Sequence, residues 1–236
     1  MTARPILAAL ALATIASANP VGACGWWGES VGEKPQESVV IDKSDLAKLD
    51  TSTPEGMERM AHAYRAGQGV PQDDLVARRW MTRAARAGHV GAMNDLGQML
   101  EMGIGGPEDQ SEAARWYAAA AEAGIAQSQH SLASMLFEGR GVARDAARAE
   151  RLLRLAARAG HATAAADLSF RIWQGEIAPQ ELHEGCLWSL VAGLGGANGG
   201  AETCRSHEAG LSEEALGALA VQAMKILRTS EEKGQS

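Results

Sequence analysis

A glycine-containing turn recurs in this chain at a constant interval, and this period constrains the fold more than any other feature. The lead glycines are Gly67, Gly103, Gly139 and Gly175, which stand 36 residues apart each time. A second glycine follows two residues later in the first three copies, whereas Ile177 stands there in the fourth. A constant period of this length is typical of stacked supersecondary units, each of which buries its apolar face against its neighbours.

Other positions keep the same interval and show helical spacing. An acidic column follows the turns, a small-residue column and a large-residue column come next, and a glycine closes each unit. These columns are Asp73, Asp109, Asp145 and Glu181; Ala77, Ala113, Ala149 and Gly185; Trp80, Trp116, Leu152 and Trp188; and Gly88, Gly124, Gly160 and Gly196. Acidic residues favour helix N-termini, and glycine favours the position after a helix. Each unit therefore predicts helix A, a glycine turn, helix B and a glycine stop, with the tryptophan column filling the space between units.

The pattern resembles a known repeat. Gly-x-Gly-Val-x-x-Asp, followed by Ala-x-x-Trp-x-x-x-Ala-Ala-x-x-Gly, is similar to the Sel1-like repeat, a relative of the tetratricopeptide repeat, and the first unit carries it from Gly67 to Gly88. The resemblance covers residues 56–196 in four copies. Ile177, Gly185 and Gly193 depart from it and predict a degenerate terminal repeat. The resemblance implies an all-α fold, an α-solenoid of helix-turn-helix repeats with a C-terminal capping helix.

The sequence divides into four segments. Residues 1–23 predict an export signal, residues 24–53 a linker, and residues 54–228 the four repeats with their capping helix. The capping helix is predicted to start at Ser212, as N-cap, and to run to about Leu227. The polar tail, residues 229–236, predicts disorder.

The N-terminal segment supports two ways of export. Arg4 precedes a short apolar stretch, and Ala16-Ser17-Ala18 matches a small-x-small cleavage site, which predicts a soluble periplasmic protein. Alternatively, Val21-Gly22-Ala23-Cys24 resembles a bacterial lipobox, which predicts lipidation of Cys24 and a membrane-anchored lipoprotein. Both interpretations place the protein outside the cytoplasm.

The other two cysteines, Cys186 and Cys204, lie at repeat positions that are expected to be close in space. Cys204 occupies the apolar column of a fifth, truncated helix A, the column of Met60, and Cys186 lies on helix B of the fourth unit. Since helix A of one unit packs on helix B of the unit before it in this family, a Cys186–Cys204 disulfide would fasten the last repeat to its cap. We expect the bridge in an oxidising compartment, with two separate buried thiols as the alternative.

The composition excludes several functions. The net charge is −7 and no Lys/Arg-rich run occurs, which argues against nucleic-acid binding. The sequence contains no His-Glu-x-x-His, Cys-x-x-Cys, phosphate-loop or Gly-x-Ser-x-Gly motif, so we predict no catalytic residue, no metal and no cofactor. His130 and Ser134 lie one helical turn apart, but no third group for a catalytic triad is evident.

One face of the four A helices predicts a binding surface, which we call the helix-A face. It lies opposite the core positions and lines the concave surface in tetratricopeptide relatives. Its members are Glu58, His62, Arg65, Asn94, Gln98, Glu101, His130, Ser134, Phe137, Ala166, Phe170 and Trp173. The face begins polar and ends aromatic, and aromatic side chains are typical anchors of a bound peptide. The alternative is that the capping helix folds over them.

These observations predict a non-catalytic scaffold, adaptor or regulator that binds a protein or peptide in the bacterial cell envelope and touches the membrane only through a lipid anchor. The first alternative is an enzyme acting on peptidoglycan or β-lactams, as proposed for cysteine-rich exported members of the family, although this chain lacks their cysteine in each repeat. The second is a glycan-binding module in which Phe170 and Trp173 stack on sugar rings.

Overall fold

The computed structural model describes residues 48–181, 183–208 and 210–234, and in these residues it contains helices and no strand. The helices are α1 (Pro54–Ala66), α2 (Asp74–Arg86), α3 (Val90–Glu101), α4 (Gln110–Glu122), α5 (Ala126–Glu138), α6 (Ala146–Arg158), α7 (Ala162–Trp173), α8 (Glu184–Leu194), α9 (Ala201–His207) and α10 (Glu213–Gly234). Each of the first eight packs on the next along the chain. The predicted all-α solenoid is confirmed.

Helix B of each of the first three repeats begins at its aspartate. Asp73 Oδ1 accepts a hydrogen bond from the Val76 backbone amide at 3.0 Å, and Asp109 and Asp145 accept equivalent bonds at 2.8 and 2.9 Å. A cap of this kind typically stabilises a helix by about 1 kcal/mol. The predicted acidic column therefore starts the helices in these three copies.

The second glycine of the turn is the point where successive repeats touch. Gly105 has a φ of 72°, and a Cβ there would lie 2.1 Å from the carbonyl oxygen of Asp74 in the preceding repeat. Gly141 is placed in the same way, with the Gln110 carbonyl oxygen 2.3 Å from a built Cβ. Since no side chain fits in either place, these glycines determine how closely one repeat stacks on the next.

The fourth repeat replaces this glycine contact with a buried ion pair. Ile177 takes the position of the second glycine and is buried. Arg154 of α6 pairs with Glu184, each of them 5 % exposed, and Arg154 also donates to the Ala178 carbonyl at 2.9 Å. The prediction that Glu181 begins helix B is therefore wrong: α8 begins at Glu184, three residues beyond the acidic column.

The core differs from the predicted tryptophan column by one residue. Trp80 and Trp116 are only partly buried at the edge of the core, whereas Trp188 is buried. The large side chains that fill the interior of the first three repeats come one position later: Met81, Tyr117 and Leu153. The column was thus wrongly placed for the first three repeats, because a helix turns by about 100° per residue and the next position points inward.

A disulfide and a short helix close the C-terminal end. Cys186 of α8 and Cys204 of α9 are bonded, so the predicted bridge is present in the structure. The two departures from alanine in the fourth repeat also make room for neighbours. A Cβ at Gly185 would lie 2.5 Å from Trp173 Nε1, and one at Gly193 would lie 2.9 Å from the Gly200 Cα.

The last helix is longer than predicted. Ser212 accepts a hydrogen bond from the Ala215 amide at 3.1 Å, as expected for an N-cap, and α10 packs on α8. The helix continues to Gly234, so residues 229–234 are helical and not disordered. Ser230 near its end contacts Gly160 of the third repeat, which shows that α10 folds back beyond the unit that it caps.

No helix in the described part of the chain is long and apolar enough to cross a membrane. The predicted export signal, Cys24 and the linker as far as residue 47 lie outside the described residues. The described end of the linker leads into α1, where Thr53 Oγ1 accepts a hydrogen bond from the Gly56 amide at 3.1 Å.

The packing difference between neighbouring aromatic residues can be tested. Tyr117→Ala removes a side chain that is 0 % exposed, so we expect a loss of about 3–5 kcal/mol of unfolding free energy. Trp116→Ala removes a partly buried ring and should cost about 1–2 kcal/mol. Urea unfolding followed by circular dichroism measures both. A larger loss for Trp116→Ala than for Tyr117→Ala would show that the tryptophan column is the true core.

Candidate functional site

The helix-A face begins with a polar cluster between the first two repeats. Glu58 and His62 lie one turn apart on α1, and His62 Nε2 lies 3.4 Å from Asp95 Oδ2 on α3. Glu58 Oε1 lies 3.2 Å from His89 Nδ1, at the start of α3. Two predicted face residues thus meet two residues that the prediction did not include.

The next contacts connect the second repeat to the third. Asn94 Oδ1 accepts a hydrogen bond from the Ser128 hydroxyl at 2.8 Å. Arg65, in the last turn of α1, and Gln98 of α3 are half-buried on the same face. The Asn94–Ser128 hydrogen bond ties a face residue of the second repeat to the first turn of helix A in the third repeat.

An ionic network occupies the middle of the face. Arg140 lies in the third turn and donates to Glu101 Oε1 at 2.7 Å, while the Tyr117 hydroxyl donates to Glu101 Oε2 at 2.9 Å. Burial raises the pKa of Tyr117 above its usual range, and the Glu101 carboxylate raises it further, because both disfavour a phenolate. Ser134 donates to Glu138 at 3.2 Å and accepts from Arg140 at 3.3 Å. The face residues Glu101 and Ser134 therefore already form hydrogen bonds within the protein.

A pair of histidine rings follows. The His130 and His161 ring centroids are 5.3 Å apart, and His161 Nδ1 caps α7 by accepting from the Ala164 amide at 3.1 Å. Burial lowers the pKa of His161 to about 4, with a further contribution from His130. Burial also lowers the pKa of His130, which Asp167 at 3.8 Å opposes. Both rings therefore favour the neutral form.

The aromatic end of the face has only one exposed ring. Phe137 is 9 % exposed and lies beneath the Arg171 guanidinium, 3.9 Å from the ring centroid. Phe170, by contrast, is 56 % exposed. It is the only aromatic among the exposed large hydrophobic side chains of the described residues.

Trp173 belongs to the contact with the cap. Its ring stacks on His207 of α9 at a centroid distance of 4.0 Å, and its Nε1 is buried against Gly185. The structure therefore supports different interpretations for the three aromatic residues. Phe137 is covered by the fourth repeat, Trp173 by the short helix α9, and Phe170 by neither. The alternative that the capping segment covers the aromatics applies to Trp173, although α9 and not the long α10 makes the contact.

The residues that contact the helix-A face lie outside the positions predicted from the sequence. Asp95 and Asp167 are 72 residues apart, as are His89 and His161, so both pairs recur every second repeat. This 72-residue period is visible in the sequence and is the signal that could have revealed these partners. Arg140 could not be found in this way because it lies in a turn, and its reach to Glu101 depends on how two repeats stack.

Comparison with protein families agrees with this architecture. The family model of the Sel1 repeat matches residues 54–89, 90–125 and 126–161. The predicted resemblance is confirmed over residues 54–161, which match three tandem Sel1 repeats, and a fourth helix pair, α7 and α8, follows beyond the matched residues. Sel1 repeats generally mediate protein–protein interactions and are typically non-catalytic scaffolds.

Solved structures show the same fold. The Sel1 repeat protein from Oxalobacter formigenes is similar with a TM-score of 0.61 and 22 % identity, over 78 % of this chain and 80 % of the other. The second is c5321, a protective antigen present in uropathogenic Escherichia coli strains displaying an SLR fold, with a TM-score of 0.62 and 23 % identity. That likeness covers 80 % of this chain and 49 % of the antigen, so this chain spans about half its length. No curated protein matches this sequence significantly.

The difference between Trp173 and Phe170 gives a testable expectation. Trp173→Ala removes the ring that stacks on α9, so we expect a loss of about 2–4 kcal/mol in unfolding free energy. Phe170→Ala removes an exposed ring and should change stability by less than about 0.5 kcal/mol. Thermal and urea unfolding of both variants measure this. If Phe170→Ala proved as destabilising as Trp173→Ala, the exposed ring would have to be part of the core.

The histidine pair predicts a pH dependence of stability. A histidine whose folded pKa lies below its unfolded value, about 6.5, binds a proton more readily in the unfolded chain, so stability falls as the pH drops from about 6.5 to about 4. His161→Asn keeps an N-cap acceptor but removes the titration. Between pH 7 and pH 4.5 the wild type should lose about 1–2 kcal/mol more than this variant. Identical pH profiles in urea titrations would contradict the assignment.

Proposed function

We propose that this protein is a non-catalytic scaffold of the bacterial cell envelope that binds a protein or peptide segment on its helix-A face. The observation that carries the proposal is the exposure of Phe170. Phe170 lies at the aromatic end of the helix-A face, and aromatic rings are enriched at the core of protein interfaces. The polar residues around it on the same face are held in place by contacts between repeats.

The arrangement suits binding because the face is preorganised. Every repeat boundary is crossed by at least one contact that involves a face residue, from His62 with Asp95 to Trp173 with His207. A surface whose side chains are already ordered loses little conformational entropy when a partner binds. The anchor would be Phe170, and the polar end near Glu58 and His62 would add selectivity.

The envelope location rests on two observations. The N-terminal segment resembles an export signal, either cleaved after Ala18 or lipidated at Cys24. A disulfide between Cys186 and Cys204 persists in oxidising compartments such as the periplasm and is rare in the cytoplasm. We therefore assign the protein to the periplasm, with a lipid anchor at Cys24 as the alternative to a soluble form.

The geometry favours binding over catalysis. The Ser134 hydroxyl donates to Glu138, and His130 faces Asp167, so these two residues do not form a nucleophile–base pair with each other. Trp173 has one ring face covered by His207, which favours a peptide over a stacked sugar ring. Turnover of peptidoglycan or a chromogenic β-lactam would support the enzyme alternative, and saturable binding of muropeptides would support the glycan alternative.

A photo-crosslinking experiment tests the proposal. A photoreactive phenylalanine analogue at position 170 should give discrete adducts with envelope proteins, whereas the same analogue at Leu75, an exposed leucine on α2, should not. Once a partner has been identified from its adduct, Phe170→Ala should weaken its binding by about 2–4 kcal/mol, the size of an interface hot spot. Leu75→Ala should leave it unchanged. Equal adducts at both positions, or an unchanged affinity in Phe170→Ala, would refute the role of this face.

A further inference from the structure

The polar cluster at the first repeat boundary brings three metal-binding side chains together. Glu58 and His62 come from α1 and Asp95 from α3, and each can offer one ligand atom, all within 4.8 Å of one another. In the described residues this is the only such group of three or more. Gly91 leaves the space that Glu58 uses, since a Cβ there would lie 3.1 Å from Glu58 Oε1.

The hydrogen bonds of the cluster leave its negative charge poorly neutralised. His89 Nδ1 lies 3.2 Å from Glu58 Oε1 but already accepts a hydrogen bond from the Ala92 amide. A neutral His89 therefore directs a lone pair, and not a proton, towards this carboxylate oxygen. Asp95 receives the Asn94 side-chain amide at 3.2 Å and faces His62. A cation between the carboxylates of Glu58 and Asp95 would neutralise this negative charge.

The same columns two repeats later show how the charge can be neutralised. Asp167 takes the place of Asp95, and Arg171 donates to its Oδ1 at 3.0 Å. The position that corresponds to Arg171 in the first copy is Met99, which is buried and carries no charge. Glu58 corresponds to His130, so the first copy also has one carboxylate more. The N-terminal cluster thus has extra negative charge and lacks the arginine.

The separation of one ligand pair fits a small divalent ion. Zinc binds imidazole nitrogen and carboxylate oxygen at about 2.0–2.2 Å, which places neighbouring ligand atoms of a tetrahedron roughly 3.4 Å apart. The separation of His62 Nε2 and Asp95 Oδ2 is 3.4 Å. The His62 side chain is 46 % exposed, so an ion can reach the cluster from solvent. Three protein ligands also leave at least one coordination position for water or a partner.

We propose that Glu58, His62 and Asp95 form a site for a divalent transition-metal ion of the zinc type, which bridges the first and second Sel1 repeats. The imidazole ligand selects Zn²⁺ and its neighbours over Mg²⁺ and Ca²⁺, which prefer oxygen ligands alone. The ion fastens α1 to α3 and therefore stabilises the N-terminal end of the solenoid. This site does not depend on the proposed function, because the ion binds without a protein partner.

Calorimetric titration tests the site. The untagged full chain, with Cys24→Ser to remove the one thiol outside the disulfide, is freed of metal by chelation and titrated with ZnCl₂. We expect saturation at one ion per chain and a rise in the melting temperature, and no saturable binding of MgCl₂ or CaCl₂. His62→Ala and Asp95→Asn should each weaken zinc binding at least about tenfold.

The repeat supplies a matched control. Asp167→Asn changes the equivalent carboxylate two repeats away, which already pairs with Arg171, and should alter zinc binding by less than about twofold. His62 is exposed, so His62→Ala should retain the melting temperature of the metal-free wild type. The proposal is overturned if the wild type binds no zinc, or if His62→Ala and Asp95→Asn bind it as tightly as Asp167→Asn does.

Discussion

Helices A and B of each repeat approach closely because small residues occupy their contact positions, and the other features of the structure depend on this approach. The alanines at 77, 113 and 149 are at most 1 % exposed. Where a larger group must fit, even alanine is too large. Gly97 makes room for Tyr117, with a built Cβ 2.7 Å from its ring, and Gly185 makes room for Trp173. These two large side chains are each matched by a glycine on the helix opposite, as close packing requires.

The same stacking organises the helix-A face. Because each helix A lies beside the next, a polar side chain on one repeat reaches a partner on its neighbour, and these pairs change in character along the chain. Histidine and carboxylates meet at the first boundary, an arginine network with Glu101 at the second, and a cation–aromatic contact at Phe137 at the third. A gradient of this kind lets one surface present different chemistry at its two ends, which suits an extended partner.

The chain shows a second period of 72 residues, superimposed on the structural repeat. His89 and His161 cap α3 and α7, whereas Ile125 precedes α5 without a side-chain cap. Asp95 and Asp167 follow the same alternation, but they are neutralised differently because only the second has Arg171 beside it. Two copies with the same sequence pattern can thus differ in chemistry when one neighbouring position changes, here from Met99 to Arg171.

The sequence by itself determined the architecture, because a constant period with helical spacing permits few alternatives to a stack of helix pairs. The turn glycines and the aspartate caps of the first three repeats followed from this arithmetic. The expected Cys186–Cys204 bridge depended in addition on the packing of repeats in the family and on an oxidising compartment. The tertiary structure alone decided which of two adjacent columns points inward, and it placed Tyr117 inside and Trp116 at the edge. It also decided the start of α8, because the buried pair of Arg154 and Glu184 reshapes the fourth turn. Trp173 is covered and Phe170 is open because of where α9 lies. The position of α9 depends on contacts between segments that are distant in the sequence, and no local sequence pattern encodes such contacts.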